Sequence, residues 1–129
     1  VMMMTRTGMG GQFKSLSTDG GDHWTEPVLS PLAGTAAPVS LSRVPTTGDI
    51  LAVWNHNPGK SGRNPFTAAI SKDEGETWIQ FRNIEDAADD QWAYPAVTWV
   101  NNHALLTYFN YKGGLNLLLK DLPAAWFYE

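Results

Sequence analysis

The octapeptide STDGGDHW, residues 17–24, is followed 54 positions later by SKDEGETW, residues 71–78. Both stretches place Ser, Asp, Gly and Trp at the same offsets, in the pattern S-x-D-x-G-x-x-W. The shared positions are Ser17, Asp19, Gly21 and Trp24 in the first copy and Ser71, Asp73, Gly75 and Trp78 in the second. A motif that recurs after roughly 50 residues indicates a repeated structural unit.

The octapeptide has the chemistry of a hairpin turn. Asp and Ser side chains form hydrogen bonds with nearby backbone groups, and glycine permits a positive φ. We expect the Trp, at the start of the next strand, to pack between neighbouring sheets. The alternative is a calcium loop, which needs oxygen ligands at more alternate positions and a distal Glu. A structural clasp is therefore the stronger interpretation.

The rest of the chain predicts an all-β protein. Segments rich in Val, Ile, Thr and aromatic residues are separated by Gly, Pro, Asn and Asp. These segments are 2–7, 11–17, 25–29, 37–44, 49–55, 66–71, 77–82, 95–100, 104–110 and 115–120. They repeat as units of about four antiparallel strands in roughly 50 residues, the size of a β-propeller blade. The sequence predicts about two and a half blades: a partial blade over 1–35, a full blade over 36–83 and a C-terminal blade over 84–129.

A third, degenerate copy of the octapeptide is predicted near the end of the sequence. Asp121 and Trp126 keep the spacing between Asp and Trp that both full copies have. Leu119 replaces the Ser of the motif, and Pro123 replaces its Gly. The third blade is therefore expected to carry a weakened copy of the octapeptide over 119–126.

Composition limits the functional classes. The formal net charge is −4 with no basic run, which argues against nucleic acid and anionic membranes as partners. The apolar runs fall far short of the ~20 residues that a membrane span needs. The sequence has no Cys, and its three His are scattered, so we expect no metal site and no cofactor. No signal peptide is visible, and the localisation stays open.

The two boxes on four-stranded repeats resemble the Asp-box, or BNR, repeats of sialidases, which are six-bladed β-propeller glycoside hydrolases. The resemblance covers essentially the whole sequence and is to the C-terminal half of such an enzyme. It implies an arginine triad for the substrate carboxylate, a Tyr nucleophile with a Glu partner, and an Asp acid/base. Arg6 in VMMMTR and Arg63 in SGRNPFTAAISKDEGETW match the second and third triad positions, and Tyr94 in WAYPAVTWV matches the nucleophile.

These residue types suit a carboxylated sugar. Planar guanidinium groups bind a carboxylate bidentately, and a neutral phenol can approach the anion that would repel a carboxylate nucleophile. Asn55 and His56, with Asn57, follow a strand equivalent to that of Arg6 and are weaker candidates for contacts to sugar hydroxyls. Each candidate also has a plainer alternative, since arginines at strand ends and in loops are commonly solvated and a Tyr can be a core or edge aromatic.

The resemblance is incomplete. The first triad Arg, the Asp acid/base and the Glu partner have no counterpart here, and we expect them upstream of Val1. Glu74, Glu76 and Glu85 occupy box or outer-strand positions and are not expected to replace that Glu.

The leading prediction is a sialidase-like protein, related to retaining exo-α-sialidases and incomplete as an isolated chain. A non-catalytic carbohydrate-binding module and a structural or assembly unit are the alternatives. The expected partner is sialic acid or another carboxylated glycan. A partial ring exposes unpaired edges, so we also expect a homo-oligomer or part of a longer chain.

Overall fold

The computed structural model describes residues 1–129. Ten β-strands are followed by one short 3₁₀ helix, Ala124–Tyr128. The strands are β1 (Met2–Arg6), β2 (Gly11–Leu16), β3 (Val28–Ala33), β4 (Ser40–Arg43), β5 (Ile50–Trp54), β6 (Phe66–Ser71), β7 (Ile79–Glu85), β8 (Trp92–Val100), β9 (His103–Asn110) and β10 (Asn116–Pro123). Each strand overlaps one predicted segment, so the all-β prediction is confirmed.

The strands form three antiparallel sheets. The first sheet has the order β1-β2-β3, the second β4-β5-β6-β7 and the third β10-β9-β8. The second sheet contains the predicted four strands, and its last strand ends two residues beyond the expected boundary at 83. The other two sheets contain three strands each. The structure therefore holds one complete four-stranded unit between two three-stranded ones.

The second sheet lies at the centre of the molecule and is covered on both faces. Every residue of β5, ILAVW, is buried, as a continuous apolar run predicts for a strand with two covered faces. Because successive side chains point to opposite faces, Leu51 and Val53 join a cluster with the third sheet. Ile50, Ala52 and Trp54 join a second cluster that faces the first sheet.

Both octapeptides form hydrogen-bonded turns, between β2 and β3 and between β6 and β7. Ser17 Oγ donates to Asp19 Oδ1 at 2.7 Å and accepts from the Gly21 N–H at 2.8 Å. Asp19 also accepts from the His23 N–H at 3.0 Å. The second copy has the corresponding bonds among Ser71, Asp73, Gly75 and Thr77. The box glycines have φ values of 112° and 83°, which glycine adopts without steric cost.

The two box tryptophans have different surroundings. Trp78 is buried in the cluster between the first and second sheets. Trp24 is 39% exposed, and its Nε1 donates to the Gly21 carbonyl at 2.9 Å. The expectation that both tryptophans pack between sheets is therefore corrected for Trp24, because the first sheet is an outer sheet and only its other face contacts the second sheet.

The degenerate third box is not a turn. Leu119, Asp121 and Pro123 lie within β10, and Trp126 lies in the 3₁₀ helix. Leu119 has no hydroxyl to accept a turn N–H, and the ring of Pro123 excludes the positive φ of the box glycines. Asp121 Oδ1 instead lies 2.7 Å from His103 Nδ1, in a hydrogen bond across the sheet. The prediction over 119–126 is corrected to a continuous strand followed by a helix.

Strand direction separates the boxes from the candidate residues. Since the strands are antiparallel, both octapeptide boxes lie at one end of the sheets, which we call the box end. The connections 7–10, 55–65, 86–91 and 111–115 lie at the opposite end, which we call the loop end. Arg6 is the last residue of β1, and Tyr94 lies near the start of β8, so both are at the loop end. None of the helical structure is long and apolar enough to cross a membrane.

Candidate functional site

The structure brings Arg6, Arg63 and Tyr94 together at the loop end. The three residues come from the first sheet, from the β5–β6 connection of the second and from β8 of the third. Arg63 Cζ lies 5.0 Å from the centroid of the Tyr94 ring. Hydrogen bonding and charge from Arg63, and then from Arg6, lower the pKa of the Tyr94 phenol below its ordinary value. Two cations therefore act on one phenol.

Local backbone geometry directs Tyr94 away from the core. Its φ is 58°, an uncommon and strained conformation for a bulky residue. It lies at a shift in the β8–β9 register between Ala93 and Ala96, and such bulges re-aim side chains. The ring is 46% exposed and meets Phe109 edge to face at 6.4 Å. Strain of this kind is common at functional sites.

The backbone of Arg63 is held on both sides of the residue. Its N–H donates to Gln91 Oε1 at 3.0 Å. Its carbonyl accepts from the Trp92 N–H at 3.0 Å and from Asn55 Nδ2 at 2.8 Å. The guanidinium donates from Nη1 to the Tyr111 hydroxyl at 2.8 Å. These bonds fix the direction of the side chain before any ligand arrives.

The structure buries Asn55, which the sequence suggested as a sugar contact, and gives it a supporting position. The residue is only 1% exposed. Its Nδ2 donates to the carbonyls of Arg63, Pro65 and Trp92 at 2.8, 3.2 and 3.1 Å. Buried polar atoms generally need hydrogen-bond partners. The amide nitrogen finds them in backbone carbonyls of the loop end, whereas the buried Oδ1 accepts no hydrogen bond from the protein. Asn55 therefore joins the β5–β6 connection to the start of β8.

His56 lies in an aromatic group between the first and second sheets. Its ring centroid is 5.4 Å from that of Trp54 and 4.9 Å from that of Phe81. The neighbouring Asn57 accepts from the Thr35 N–H at 2.7 Å and donates to the Gly62 carbonyl at 2.5 Å. Both side chains thus make internal contacts, and a role in contacting sugar hydroxyls stays a prediction.

Tyr111 is a residue of the site that the sequence analysis did not select. It follows β9 as residues 7 and 55 follow β1 and β5, so alignment of the third repeat could have indicated it. Its ring centroid is 5.9 Å from Arg63 Cζ. Its N–H donates to the Gln91 carbonyl at 3.2 Å and to Asp90 Oδ1 at 3.1 Å. The Arg63 guanidinium therefore lies close to two tyrosine rings.

Two adjoining depressions open at the loop end. One, of about 420 Å³, is lined by Arg63, Gln91, Tyr94 and Tyr111. The other, of about 440 Å³, shares three of these residues and continues along Asp89 and its ion-pair partner Lys112. Volumes of this size accommodate small-molecule ligands. The surface beside Arg63 is therefore concave, polar and open to solvent.

The three glutamates considered in the sequence analysis are engaged elsewhere. Ion pairs and hydrogen bonds join Glu74 to Arg43 at 2.6 Å, Glu76 to Lys14 at 2.7 Å, and Glu85 to Lys120 at 2.6 Å and Tyr108 at 2.5 Å. No group of three or more His, Asp or Glu side chains is arranged to hold a metal ion. The charged groups that act on the Tyr94 phenol are the two arginines.

Comparison with known proteins supports the repeat interpretation. The BNR repeat-like domain matches residues 1–108. No curated protein matches the sequence. The matched range includes both octapeptides and all three of Arg6, Arg63 and Tyr94. With most of its length covered by this match, the chain belongs to the family of BNR repeat-like domains.

Proposed function

We propose that the loop end binds the carboxylate of a sialic acid or a similar acidic sugar, in the manner of a sialidase. Arg6 and Arg63 hold the carboxylate, and Tyr94 faces the anomeric carbon beside it. The observation that carries this proposal is the position of the Arg63 guanidinium, 5.0 Å from the centroid of the Tyr94 ring, with Arg63 and Arg6 both lowering the pKa of the Tyr94 phenol. Arginine suits this role because its planar donors match the two oxygens of a carboxylate.

The same arrangement supports retaining hydrolysis. The Tyr94 oxygen forms a bond to the anomeric carbon while the glycosidic C–O bond breaks and the departing oxygen takes up a proton. Water then displaces the tyrosine, which restores the phenol and releases the free sugar. A lowered pKa makes the phenolate more accessible near neutral pH, and the arginines remain on the substrate carboxylate throughout.

Carbohydrate binding without turnover is the second candidate function. Binding requires the cations and the aromatic surface, and both are present around Arg63. Neither depends on Glu74, Glu76 or Glu85, whose side chains are paired elsewhere. A lectin-like protein would use the arginines to select acidic sugars and the exposed tyrosine rings to contact the sugar face.

We also propose that the three sheets are consecutive blades of a larger, six-bladed β-propeller. The family match and the arrangement of a four-stranded sheet between two three-stranded ones support this proposal. In such a ring, the loop ends of successive blades surround a common axis. That geometry accounts for the way three separate sheets contribute to one group of side chains.

Two measurements test the function. Binding of N-acetylneuraminic acid is followed by NMR or calorimetry, and turnover is followed with a fluorogenic sialoside. Arg63→Ala is expected to abolish binding, whereas Arg43→Ala, at the box end and paired with Glu74, serves as the matched control and binds normally. Turnover that is lost in Tyr94→Phe supports the sialidase, and binding without turnover supports the lectin. Normal binding by Arg63→Ala removes this residue from the site.

A further inference from the structure

We propose that Tyr111 is a second ligand-binding tyrosine, whose hydroxyl group donates its hydrogen to the ligand carboxylate held by Arg63. This inference rests on the proposed function and deepens it. It adds a neutral donor to a site that otherwise consists of cations and the Tyr94 phenol.

In the hydrogen bond between the Tyr111 and Arg63 side chains, the tyrosine hydroxyl accepts and the arginine donates. Arg63 Nη1 donates to the Tyr111 oxygen at 2.8 Å, so the phenol oxygen is the acceptor. A phenol also carries one hydrogen that it can donate. The structure contains no second hydrogen bond at this oxygen. The hydrogen of this phenol therefore has no acceptor within the protein.

Tyr111 is 39% exposed and lines the same depression of about 420 Å³ as Arg63 and Tyr94. A carboxylate that meets the guanidinium in this depression lies within reach of the neighbouring hydroxyl. Its two oxygens accept several hydrogen bonds at once, so the phenol does not compete with the arginine for a single acceptor site.

The backbone of Tyr111 is fixed by the segment that also fixes Arg63. Asp90 accepts from the N–H groups of Tyr111 and Lys112 at 3.1 and 2.8 Å. The next residue, Gln91, accepts from the Tyr111 N–H through its carbonyl and from the Arg63 N–H through its side chain. Donors held in place before binding lose little entropy when the ligand arrives.

A neutral donor has a specific consequence for selectivity. A hydrogen bond from a phenol to a carboxylate is charge-assisted and stronger than one to a neutral ester. Tyr111 is therefore expected to increase the preference for the acid over its methyl ester. If Tyr111 only held Arg63 in place, its effect would depend entirely on that arginine.

The test is a double-mutant cycle with two ligands, N-acetylneuraminic acid and its methyl ester. Dissociation constants are measured by NMR titration for the wild type, Tyr111→Phe, Arg63→Lys and the double variant. Tyr111→Phe is expected to weaken binding of the acid about tenfold with little change for the ester, and a similar loss is expected in the Arg63→Lys background. Tyr128→Phe, which removes a hydroxyl bonded to Thr47 and Asp49 at the box end, is the matched control.

The outcomes separate the two proposals. A wild type that does not prefer the acid overturns the carboxylate site and, with it, the role of Tyr111. A wild type that prefers the acid while Tyr111→Phe binds it equally well overturns the role of Tyr111 alone. Direct donation is also overturned if Tyr111→Phe no longer weakens acid binding in the Arg63→Lys background. The same holds if Tyr111→Phe weakens binding of acid and ester equally. In either case Tyr111 only supports Arg63.

Discussion

At the scale of single residues, the ionisation of Tyr94 depends on its two arginine neighbours. Arg63 has the larger effect and Arg6 the smaller, and both lower the pKa of the phenol from its ordinary value of 10.0. We predict that Arg63→Ala raises the pKa of Tyr94 towards that value and that Arg6→Ala raises it less. Phenolate absorbance is titrated for each variant, with Tyr94→Phe as the reference that isolates this residue. Arg43→Ala should leave the titration unchanged, and an unchanged titration in Arg63→Ala would contradict the assignment.

The box carboxylates give a second prediction at this scale. Hydrogen bonds from the Thr77 side chain and backbone lower the pKa of Asp73 from 3.8 to about 2. Because the folded state favours the ionised form, the stability from this carboxylate is complete above its ordinary pKa and is lost as the pH falls through about 2. Asp73→Asn should therefore lose less stability than the wild type on acidification.

The measurement is the urea midpoint between about pH 6 and about pH 2. The wild-type midpoint should fall more steeply than that of Asp73→Asn, chiefly below about pH 4. Asp22→Asn, an exposed carboxylate in the first octapeptide, should follow the wild type. Parallel curves for the wild type and Asp73→Asn would show that protonation of Asp73 does not change the stability of the protein.

At the scale of elements, the β5–β6 connection depends on Asn55. One amide joins the carbonyls of Arg63, Pro65 and Trp92, and its removal leaves the connection less firmly attached to β8. We predict that Asn55→Ala costs ~2 kcal/mol of unfolding free energy and weakens sugar binding although Asn55 is too buried to touch the ligand. Thr46→Ala, at an exposed position in the connection between β4 and β5 at the opposite end of the sheets, is the control and should change neither quantity.

Chemical denaturation and ligand titration of the same samples measure both effects. A loss of stability with normal binding would show that the position of Arg63 survives without the amide. If Asn55→Ala is as stable as the wild type, water replaces the three hydrogen bonds without cost.

The strands were predictable because their signal is local. The alternation and length of apolar segments indicate strands wherever turn residues bound them, and the spacing of the two octapeptides sets the repeat. The third box failed because only Asp and Trp were preserved, while Leu119 and Pro123 lack the hydroxyl and the positive φ on which the turn depends. A spacing alone does not specify a turn without the atoms that form its hydrogen bonds.

The site was predictable only in part. Arg6, Arg63 and Tyr94 were selected through the resemblance, and the structure groups them, although their roles as ligand contacts stay predictions. Asn55 was selected for its place after a strand. A polar residue at the end of a strand gives no sign in the sequence that its side chain is buried. Tyr111 was missed because its relevance arises from one hydrogen bond across 48 residues of sequence.

At the scale of the whole molecule, apolar side chains are exposed on both outer sheets. Met3 and Leu29 are 41% and 55% exposed on the first sheet, and Leu117 and Leu119 are 65% and 67% exposed on the third. β10 also forms an unpaired sheet edge. Large exposed apolar areas and free edges favour association. Because the two surfaces lie on opposite sides of the second sheet, a head-to-tail contact between copies covers both.

We therefore predict that this chain self-associates through its outer sheets. Light scattering after size exclusion should give a mass above the 14.2 kDa of one chain, and the mass should rise with concentration. Leu117→Lys combined with Leu119→Lys should shift the mass towards the monomer, because two charges on the exposed face of an edge strand oppose pairing. Ile79→Lys, which charges an exposed position of the central sheet, is the matched control and should associate like the wild type. A mass of 14.2 kDa at every concentration would contradict the prediction, and association that survives the paired substitution would place the contact away from β10.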